Sequence, residues 1–269
     1  MNCEKDIIPS PEIKKLKQEC SLLRDELAGL FAERDHLLNT VAVNIQAQYA
    51  TTVGVKEYEQ LILDVEVRRL KRTIELIQTI ENRGDKANLE QVEASVEEEL
   101  EEWRKKVEKM LDEIKAGETR LKNLMTDEES QDLLKLYRFF AKKLHPDVNP
   151  DLDNKYQALW IRVQQAYKSG DIQELRALQL IVEDVPEETA ISSTLEMLQK
   201  RHGKLKDQVN GLMQQIENIK AKHPFILADN LNDPEWVKEQ ISKCEERIKA
   251  FSAEKERLED LISLWKSKQ

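Results

Sequence analysis

The sequence predicts an all-α fold in which long coiled-coil-like helices flank a small helical hairpin. Only 7 glycines, 7 prolines and 5% aromatic residues, with 35% charged residues, favour long helices over a large compact core. Apolar side chains recur at alternating steps of three and four residues over long stretches, which is the spacing of a coiled-coil seam. Between these stretches, Leu133 to Tyr167 shows two short amphipathic patterns joined by a tight loop.

The chain begins with a predicted flexible tail, residues 1–10, followed by a long helix. Ser10 is suited to cap this helix, with Pro11 at its first position. The helix is expected to run to about Ala50, and Gly54 is expected to break it. Its seam consists of Ile13, Leu16, Cys20, Leu23, Leu27, Leu30, Arg34, Leu37 and Val41.

Two further helices complete the predicted coiled-coil region, residues 11–120. The first covers about Lys56 to Asn82, and Gly84 is suited to the left-handed position that ends it. The second is acidic and runs from about Asn88 to Met125, and its glutamate run at 97–102 is most simply a solvated face. The end of this acidic helix, through Leu121 and Leu124, is expected to serve as the first helix of the central unit.

The central unit, residues 121–185, contains the hairpin, and Thr126-Asp127-Glu128-Glu129 resembles a capped entry into its first helix. Pro146 disfavours helical geometry at His145, so the first helix of the hairpin should end near Leu144. Asn149-Pro150 is a second stop, and Asp151 or Asp153 can cap the second helix. Pro186 is expected to end the unit. The apolar stripe of the first helix is Leu133, Leu136, Tyr137, Phe140 and Leu144, and that of the second is Tyr156, Leu159, Trp160, Val163 and Tyr167.

A different face of the first hairpin helix is basic, because Lys135, Arg138 and Lys142 follow one another at helical spacing, with Lys143 beside them. Such a face can be an ordinary solvated surface. We favour a partner-binding patch, since clustered positive charge steers association with an acidic surface. Phe139 lies beside this face and either touches the partner or packs against the flanking helices.

Residues 186–269 are predicted to form an antiparallel coiled-coil hairpin, because a short connection joins two long seams. Phe225, Ile226 and Leu227 in this connection either fold back on the hairpin or dock a client or partner. One seam is Leu195, Leu198, His202, Leu205, Val209, Leu212, Ile216 and Ile219. The other is Val237, Ile241, Cys244, Ile248, Phe251, Leu258, Ile262 and Trp265.

The segment from Asp127 to the early 180s resembles the J-domain of DnaJ-type co-chaperones. That family carries His-Pro-Asp between a basic helix and an apolar helix, as His145-Pro146-Asp147 stands here. Further residues match the family pattern: Tyr137-Arg138, Ala141, Lys143, Asn149, Trp160, Val163, Ala166 and Tyr167. The chain departs from the family at Val148, where a basic residue is common, and at Asp171 to Glu183, which replaces the usual fourth helix.

The resemblance implies a function without chemistry in this chain. The J unit would dock on the ATPase domain of a DnaK-type chaperone and accelerate its ATP hydrolysis, while the coiled-coil arms recruit a client or partner. It implies that His145, Pro146 and Asp147 stimulate the ATPase. It implies that docking involves Tyr137, Arg138, Lys142, Lys143 and Asn149. The alternative is a coiled-coil scaffold or adaptor in which the hairpin is structural and His145 is an ordinary loop histidine.

Composition and motifs argue against other classes. The net charge of −10 disfavours a general nucleic-acid binder, and no apolar run approaches the length of a membrane span. No phosphate-binding glycine loop, nucleophile elbow or zinc spacing is present, so we expect no enzyme, no cofactor and no metal. His36, His202 and His223 lack metal-ligand spacing.

The cysteines give an indication of the cellular compartment. Cys3, Cys20 and Cys244 are far apart in the sequence and form no paired motif, which suits a reducing, cytoplasmic compartment. On the seams, Cys20 and Cys244 are expected to act as small hydrophobic residues.

Overall fold

The computed structural model describes residues 10–150, 152–182 and 194–267. Every secondary-structure element in these ranges is helical, so the prediction of an all-α fold is confirmed. Within them, no helix combines the length and the apolar character that crossing a membrane requires. The predicted N-terminal tail before Ser10, the possible cap Asp151 and the predicted helix stop at Pro186 lie outside the described residues.

The helices follow one another along the chain as α1 Pro11–His36, α2 Ala42–Tyr49, α3 Val55–Asn82, α4 Leu89–Glu99, α5 Glu101–Lys122, α6 Asp127–Leu144, α7 Asn154–Ser169, α8 Ile172–Val182, α9 Leu195–Lys220, α10 Ala228–Leu231 and α11 Pro234–Lys266. Two π-helical turns, Leu37–Val41 and Ala50–Gly54, follow α1 and α2, and a 3₁₀ turn, Phe225–Leu227, precedes α10.

Several helix ends form as the sequence predicts. The Ser10 hydroxyl accepts a hydrogen bond from the Ile13 amide at 3.3 Å, with Pro11 at the first helical position. Thr126 and Glu129 form a reciprocal capping box at the start of α6. Gly84 has a φ of 86°, the left-handed conformation that glycine tolerates best.

The chain forms two compact units, and they do not follow the predicted boundaries. Unit 1 contains the chain as far as Val43 together with Met125–Phe225, and unit 2 contains Asn44–Leu124 together with the chain from Ile226 onward. The predicted regions 11–120 and 186–269 are therefore each divided between the two units. The reason is that seam helices pair by packing, which sequence order does not determine.

The predicted pairing of the two C-terminal helices is corrected in the same way. Helix α9 packs against α1 in unit 1, and α11 packs against α3 in unit 2, so these helices do not form a hairpin with each other. A seam pattern shows that a helix has a partner, but not which of several similar seams provides it.

Two expected helix boundaries also differ. Gly54 has helical dihedral angles, φ −57° and ψ −32°, so it lies within helical backbone and does not break it. Its neighbour Val53 is only 1% exposed, and such packing offsets the cost of about 1 kcal/mol of a glycine in a helix. The acidic helix is divided at Leu100 into α4 and α5, where the Leu100 side chain is buried.

Unit 2 explains why α5 does not serve the central hairpin. A Cβ atom at Gly117 would stand 3.1 Å from the Ala47 carbonyl oxygen, so glycine permits close backbone packing here. The Arg120 guanidinium donates to Asn44 Oδ1 at 2.8 Å. Helix α5 therefore belongs to unit 2, and Leu124 is 47% exposed rather than part of the hairpin core.

Unit 1 places α1 against the hairpin instead. One apolar cluster joins side chains of α1, the α6–α7 hairpin, α8 and α9. Phe140, Val163, Leu175 and Val182 are fully buried in it, so α6, α7 and α8 share a common core. Helix α1 contacts both α6 and α9 and so lies between them in this unit.

Candidate partner-docking site

The hairpin tip begins where α6 ends. His145 has an extended backbone, φ −66° and ψ 128°, as the following proline requires. Its amide still donates to the Ala141 carbonyl at 3.2 Å, which closes the last helical turn. Helix α6 therefore ends at Leu144, as the sequence predicts.

Hydrogen bonds within the loop hold the tip in one conformation. The Asp147 amide donates to His145 Nδ1 at 3.1 Å, and the Asn149 amide donates to the His145 carbonyl at 2.8 Å. The Asn149 side-chain amide donates to the Lys142 carbonyl at 2.7 Å. Val148 is 2% exposed and belongs to the core of unit 1, so a basic residue at this position would lose that packing.

The three residues of the tripeptide differ in accessibility. Pro146 and Asp147 are exposed at the tip, whereas His145 is only 7% exposed. The His145 ring stacks on Phe31 of α1 with centroids 3.7 Å apart, and it meets Trp160 edge-on at 5.2 Å. The interpretation of His145 as a solvated loop histidine is therefore wrong.

Burial determines the protonation of His145. The pKa of His145 is lowered to about 4, chiefly by desolvation and also by the Arg34 guanidinium, against the opposing effect of the Asp147 and Asp35 carboxylates. The ring is thus neutral near pH 7. Its Nδ1 atom accepts the Asp147 amide hydrogen bond, which places the ring proton on Nε2.

We use the term docking face for the residues of the hairpin that contact α1: Tyr137, Arg138, Lys142, His145 and Asn149. We use the term cover face for the residues of α1 that they contact: Arg24, Asp25, Gly29, Phe31 and Asp35. All ten residues lie in unit 1.

Polar contacts dominate between these two faces. Lys142 pairs with Asp25 at 2.9 Å, and the Arg24 guanidinium donates to the side-chain oxygen of Asn149. The side chain of Arg138 lies so close to Gly29 that a Cβ atom there would displace its guanidinium. Helix α1 thus contacts the basic face of α6 at Arg138 and Lys142, and both residues remain exposed to solvent.

The most buried of these contacts joins Tyr137 to Asp35. The Tyr137 hydroxyl donates to Asp35 Oδ2 at 2.7 Å, with Tyr137 2% exposed and Asp35 8% exposed. Burial, reinforced by the Asp35 carboxylate, raises the pKa of Tyr137 well above its ordinary value. Arg34 donates to the other carboxylate oxygen of Asp35 at 2.7 Å, so this buried charge is paired.

The other predicted docking residues lie beside the docking face. Lys143 donates to the Val182 carbonyl at 3.3 Å, and its ammonium lies 5.3 Å from the centre of the Phe139 ring. Phe139 is partly buried against the core and meets Phe140 edge-on at 5.4 Å. Of the two interpretations of Phe139, packing within the unit is the one the structure supports.

The seam residues singled out in the sequence also have defined places. His202 of α9 lies 3.6 Å from Glu19 of α1, and Cys20 Sγ lies 4.0 Å from the Leu198 carbonyl. Cys20 and Cys244 are both buried and free, and burial raises the pKa of each thiol. Across the described ranges, no group of three or more His, Cys, Asp or Glu side chains is arranged to hold a metal.

The predicted client site is a short 3₁₀ turn, Phe225–Leu227. Ile226 is 57% exposed, whereas Phe225 and Leu227 are partly buried. One exposed apolar side chain between two partly buried ones is a small contact surface.

The sequence prediction missed the cover face. Residues 24, 25, 29, 31 and 35 fall on one side of a helix that turns by about 100° per residue, away from the seam that faces α9. The sequence does contain one signal for this face, the small residues Ala28, Gly29 and Ala32. All three are buried, and their small size allows another helix to approach closely. Small residues between charges do not identify the partner, however.

Comparison of the chain with models of protein families, with curated proteins and with solved structures finds no match. These comparisons neither support nor contradict the resemblance to the J-domain that the hairpin residues suggest.

Proposed function

We propose that this chain is a J-domain-type co-chaperone. The tip of the α6–α7 hairpin docks on a DnaK-type chaperone and stimulates its ATP hydrolysis, while the chain itself performs no chemistry. The observation that supports this most is the constrained loop with Pro146 and Asp147 exposed at its end. A loop already fixed in one conformation loses little entropy on binding.

The chemistry of the tip suits an arginine of the partner. The Asp147 carboxylate is exposed and can accept a bidentate hydrogen bond from a guanidinium group. Pro146 restricts the backbone beside it, and Lys135, Arg138 and Lys142 along α6 add positive charge that steers an acidic partner surface towards the tip.

The helices outside the hairpin are proposed to recruit the client or partner on which the chaperone acts. The exposed Ile226 in the turn Phe225–Leu227 is the candidate contact for a client or adaptor. The free, buried thiols of Cys20 and Cys244 favour a reducing, cytoplasmic location.

A second candidate function is supported by a specific observation. With His145 7% exposed and Tyr137 2% exposed, two of the residues that the family uses are part of the core of unit 1. If this arrangement is permanent, the hairpin is a structural element of a coiled-coil scaffold or adaptor.

A single-turnover ATPase assay with a DnaK-type chaperone tests the proposal. We expect the intact chain to stimulate hydrolysis, and Asp147→Asn to abolish stimulation because the neutral amide loses the charge that pairs with arginine. The matched control is Asp153→Asn, since Asp153 is also exposed and its side chain makes no capping hydrogen bond. Equal stimulation by the wild type and Asp147→Asn would favour the scaffold instead.

A further inference from the structure

Helix α1 already packs against part of the surface through which a chaperone would dock. Five docking-face side chains each contact the cover face, through two charged contacts, a buried hydroxyl–carboxylate bond, a ring stack and a close approach at Gly29. Tyr137 and His145 are only 2% and 7% exposed, so a partner cannot reach them while α1 packs on the hairpin. Docking through these two residues and the packing of α1 are therefore mutually exclusive.

The cover face carries carboxylates, which are the groups that a basic docking face binds. Asp25 meets the Lys142 ammonium, and Asp35 accepts from the Tyr137 hydroxyl. An acidic partner surface would provide carboxylates to the same groups. Through Asp25 and Asp35, helix α1 thus presents the same groups as an acidic partner would, while the basic Arg24 contacts Asn149.

The opposite side of α1 is held by α9 through separate contacts. Lys220 of α9 pairs with Glu33 at 2.9 Å, and His202 lies near Glu19. The apolar residues that α9 buries on this side are Leu198, Leu205, Val209, Leu212 and Ile216. Helix α1 can therefore leave α6 while it remains a paired, folded helix.

The contact with the hairpin has the composition of a reversible one. It includes the small residues Ala28, Gly29 and Ala32, polar pairs and the stacked ring of Phe31. The π turn Leu37–Val41 begins two residues after Asp35, the last cover-face residue. Such turns interrupt regular helical hydrogen bonding and often accompany functional positions.

We propose that α1 is an autoinhibitory cover, which occupies the docking face in the described state and must separate from the hairpin, still paired with α9, before a DnaK-type chaperone can dock. This inference rests on the proposed function, because the docking face is the surface being covered. The apparent affinity for the chaperone is then the affinity of the open state reduced by the open fraction.

Two ion pairs of α1 provide a matched test of this inference. Asp25–Lys142 and Glu33–Lys220 both measure 2.9 Å, and the acidic side chains are both 45% exposed. Only the first joins α1 to the docking face. Asp25→Lys and Glu33→Lys therefore introduce the same charge change on one helix, the first at its contact with α6 and the second at its contact with α9.

The first arm of the experiment measures ATPase stimulation by the full chain carrying either substitution. An exposed ion pair of about 0.2–1 kcal/mol corresponds to at most about a fivefold change in an equilibrium. We expect Asp25→Lys to lower the half-maximal concentration about two- to fivefold and Glu33→Lys to leave it unchanged. Equal effects of the two substitutions, or none from Asp25→Lys, would overturn the cover.

The second arm measures opening without any chaperone. In full chains with a single cysteine, Ala28→Cys reports on the hairpin side of α1, and native Cys20 reports on the α9 side. With rates normalised to the unfolded chain, we expect a thiol reagent to modify Ala28→Cys at least about tenfold faster than Cys20. Ala32→Cys serves as a second reporter in case Ala28→Cys disturbs packing.

Together, the two arms of the experiment distinguish a failure of the autoinhibitory cover from a failure of the proposed function. If both thiols react only at the rate of global unfolding, α1 is a fixed part of the core and the cover is overturned, whatever the ATPase shows. If Ala28→Cys opens locally but neither the wild type nor any variant stimulates, the proposed function fails while the opening of α1 stands.

Discussion

The two sides of α1 show how differently one helix can be held. Its α9 side follows the seam of leucines seen in the sequence, with ion pairs at the edge such as Glu33–Lys220. Its hairpin side includes small residues, charges and the stacked ring of Phe31. The comparison suggests that apolar seams build the permanent frame of unit 1, whereas the polar contact can open.

The largest expected effect comes from the α9 side. Leu212→Ala should lower the free energy of unfolding by about 2–5 kcal/mol, because Leu212 is 5% exposed and its loss leaves a cavity in the seam. Urea denaturation measures this value. The neighbouring Met213 is 42% exposed, and Met213→Ala should change the unfolding free energy by less than about 0.5 kcal/mol. Similar losses from both would show that the seam is not the frame.

The hairpin side should instead respond to pH, through His145. Its pKa is lowered to about 4 by burial between Phe31 and Trp160, so the folded state holds it neutral below its ordinary pKa of about 6.5. The unfolded chain therefore binds more protons between these pH values. Stability contributed by the neutral ring is complete above about pH 6.5 and is lost as pH falls towards 4.

We expect the unfolding free energy of the wild type to fall by up to about 3 kcal/mol between pH 7 and pH 4 relative to His145→Gln. Urea titrations at several pH values measure the difference. The groups that face the ring, Asp147, Arg34 and Asp35, are present in both proteins. The exposed His223 provides the control, and His223→Gln should keep the wild-type slope. A wild-type slope in His145→Gln would mean that the ring is not held neutral.

A smaller effect is expected at the buried hydroxyl of the docking face. Tyr137→Phe removes the donor to Asp35 Oδ2 and should cost about 1–3 kcal/mol, because a buried carboxylate oxygen loses its partner. Tyr156 is only partly buried, so Tyr156→Phe should cost much less. Denaturation of both variants gives the comparison, and equal costs would mean that the Tyr137–Asp35 bond does not hold α1 in place.

The smallest expected effect is on salt dependence. Salt weakens docking through Arg138 and Lys142, but it also weakens the Asp25–Lys142 pair that holds the cover closed. These effects oppose each other in the wild type. Binding of the chaperone to Asp25→Lys should therefore decline more steeply with salt than wild-type binding does. Titrations at several salt concentrations measure both slopes, and a shallower slope for Asp25→Lys would contradict the cover.

The comparison also explains what could be predicted from the sequence. Helix ends at Ser10, Thr126 and Leu144 depend on neighbouring residues alone, so they form as predicted. The pairing of α9 with α1 depends on contacts between distant segments that several equivalent seams could satisfy. The placement of α1 on the hairpin depends on small and charged residues, which have no periodic apolar signal.

The residues of the site also divide into those that the sequence identifies and those whose contacts only the structure shows. The sequence identifies the hairpin and the tripeptide, because a proline and two amphipathic stripes are local features. It does not show that His145 would stack on Phe31, because that contact joins residues more than one hundred positions apart. Accessibility is a property of the whole unit, and so it had to come from the structure.

The most direct test combines a substitution in the cover face, Asp25→Lys, with a substitution in the hairpin tip, Asp147→Asn. In single-turnover ATPase assays, Asp25→Lys should stimulate a DnaK-type chaperone at a lower concentration than the wild type, and Asp25→Lys with Asp147→Asn should not stimulate at all. This result would mean that uncovering the docking face acts through the exposed tip. Stimulation that persists in the double variant, or that is absent from Asp25→Lys itself, would contradict the account.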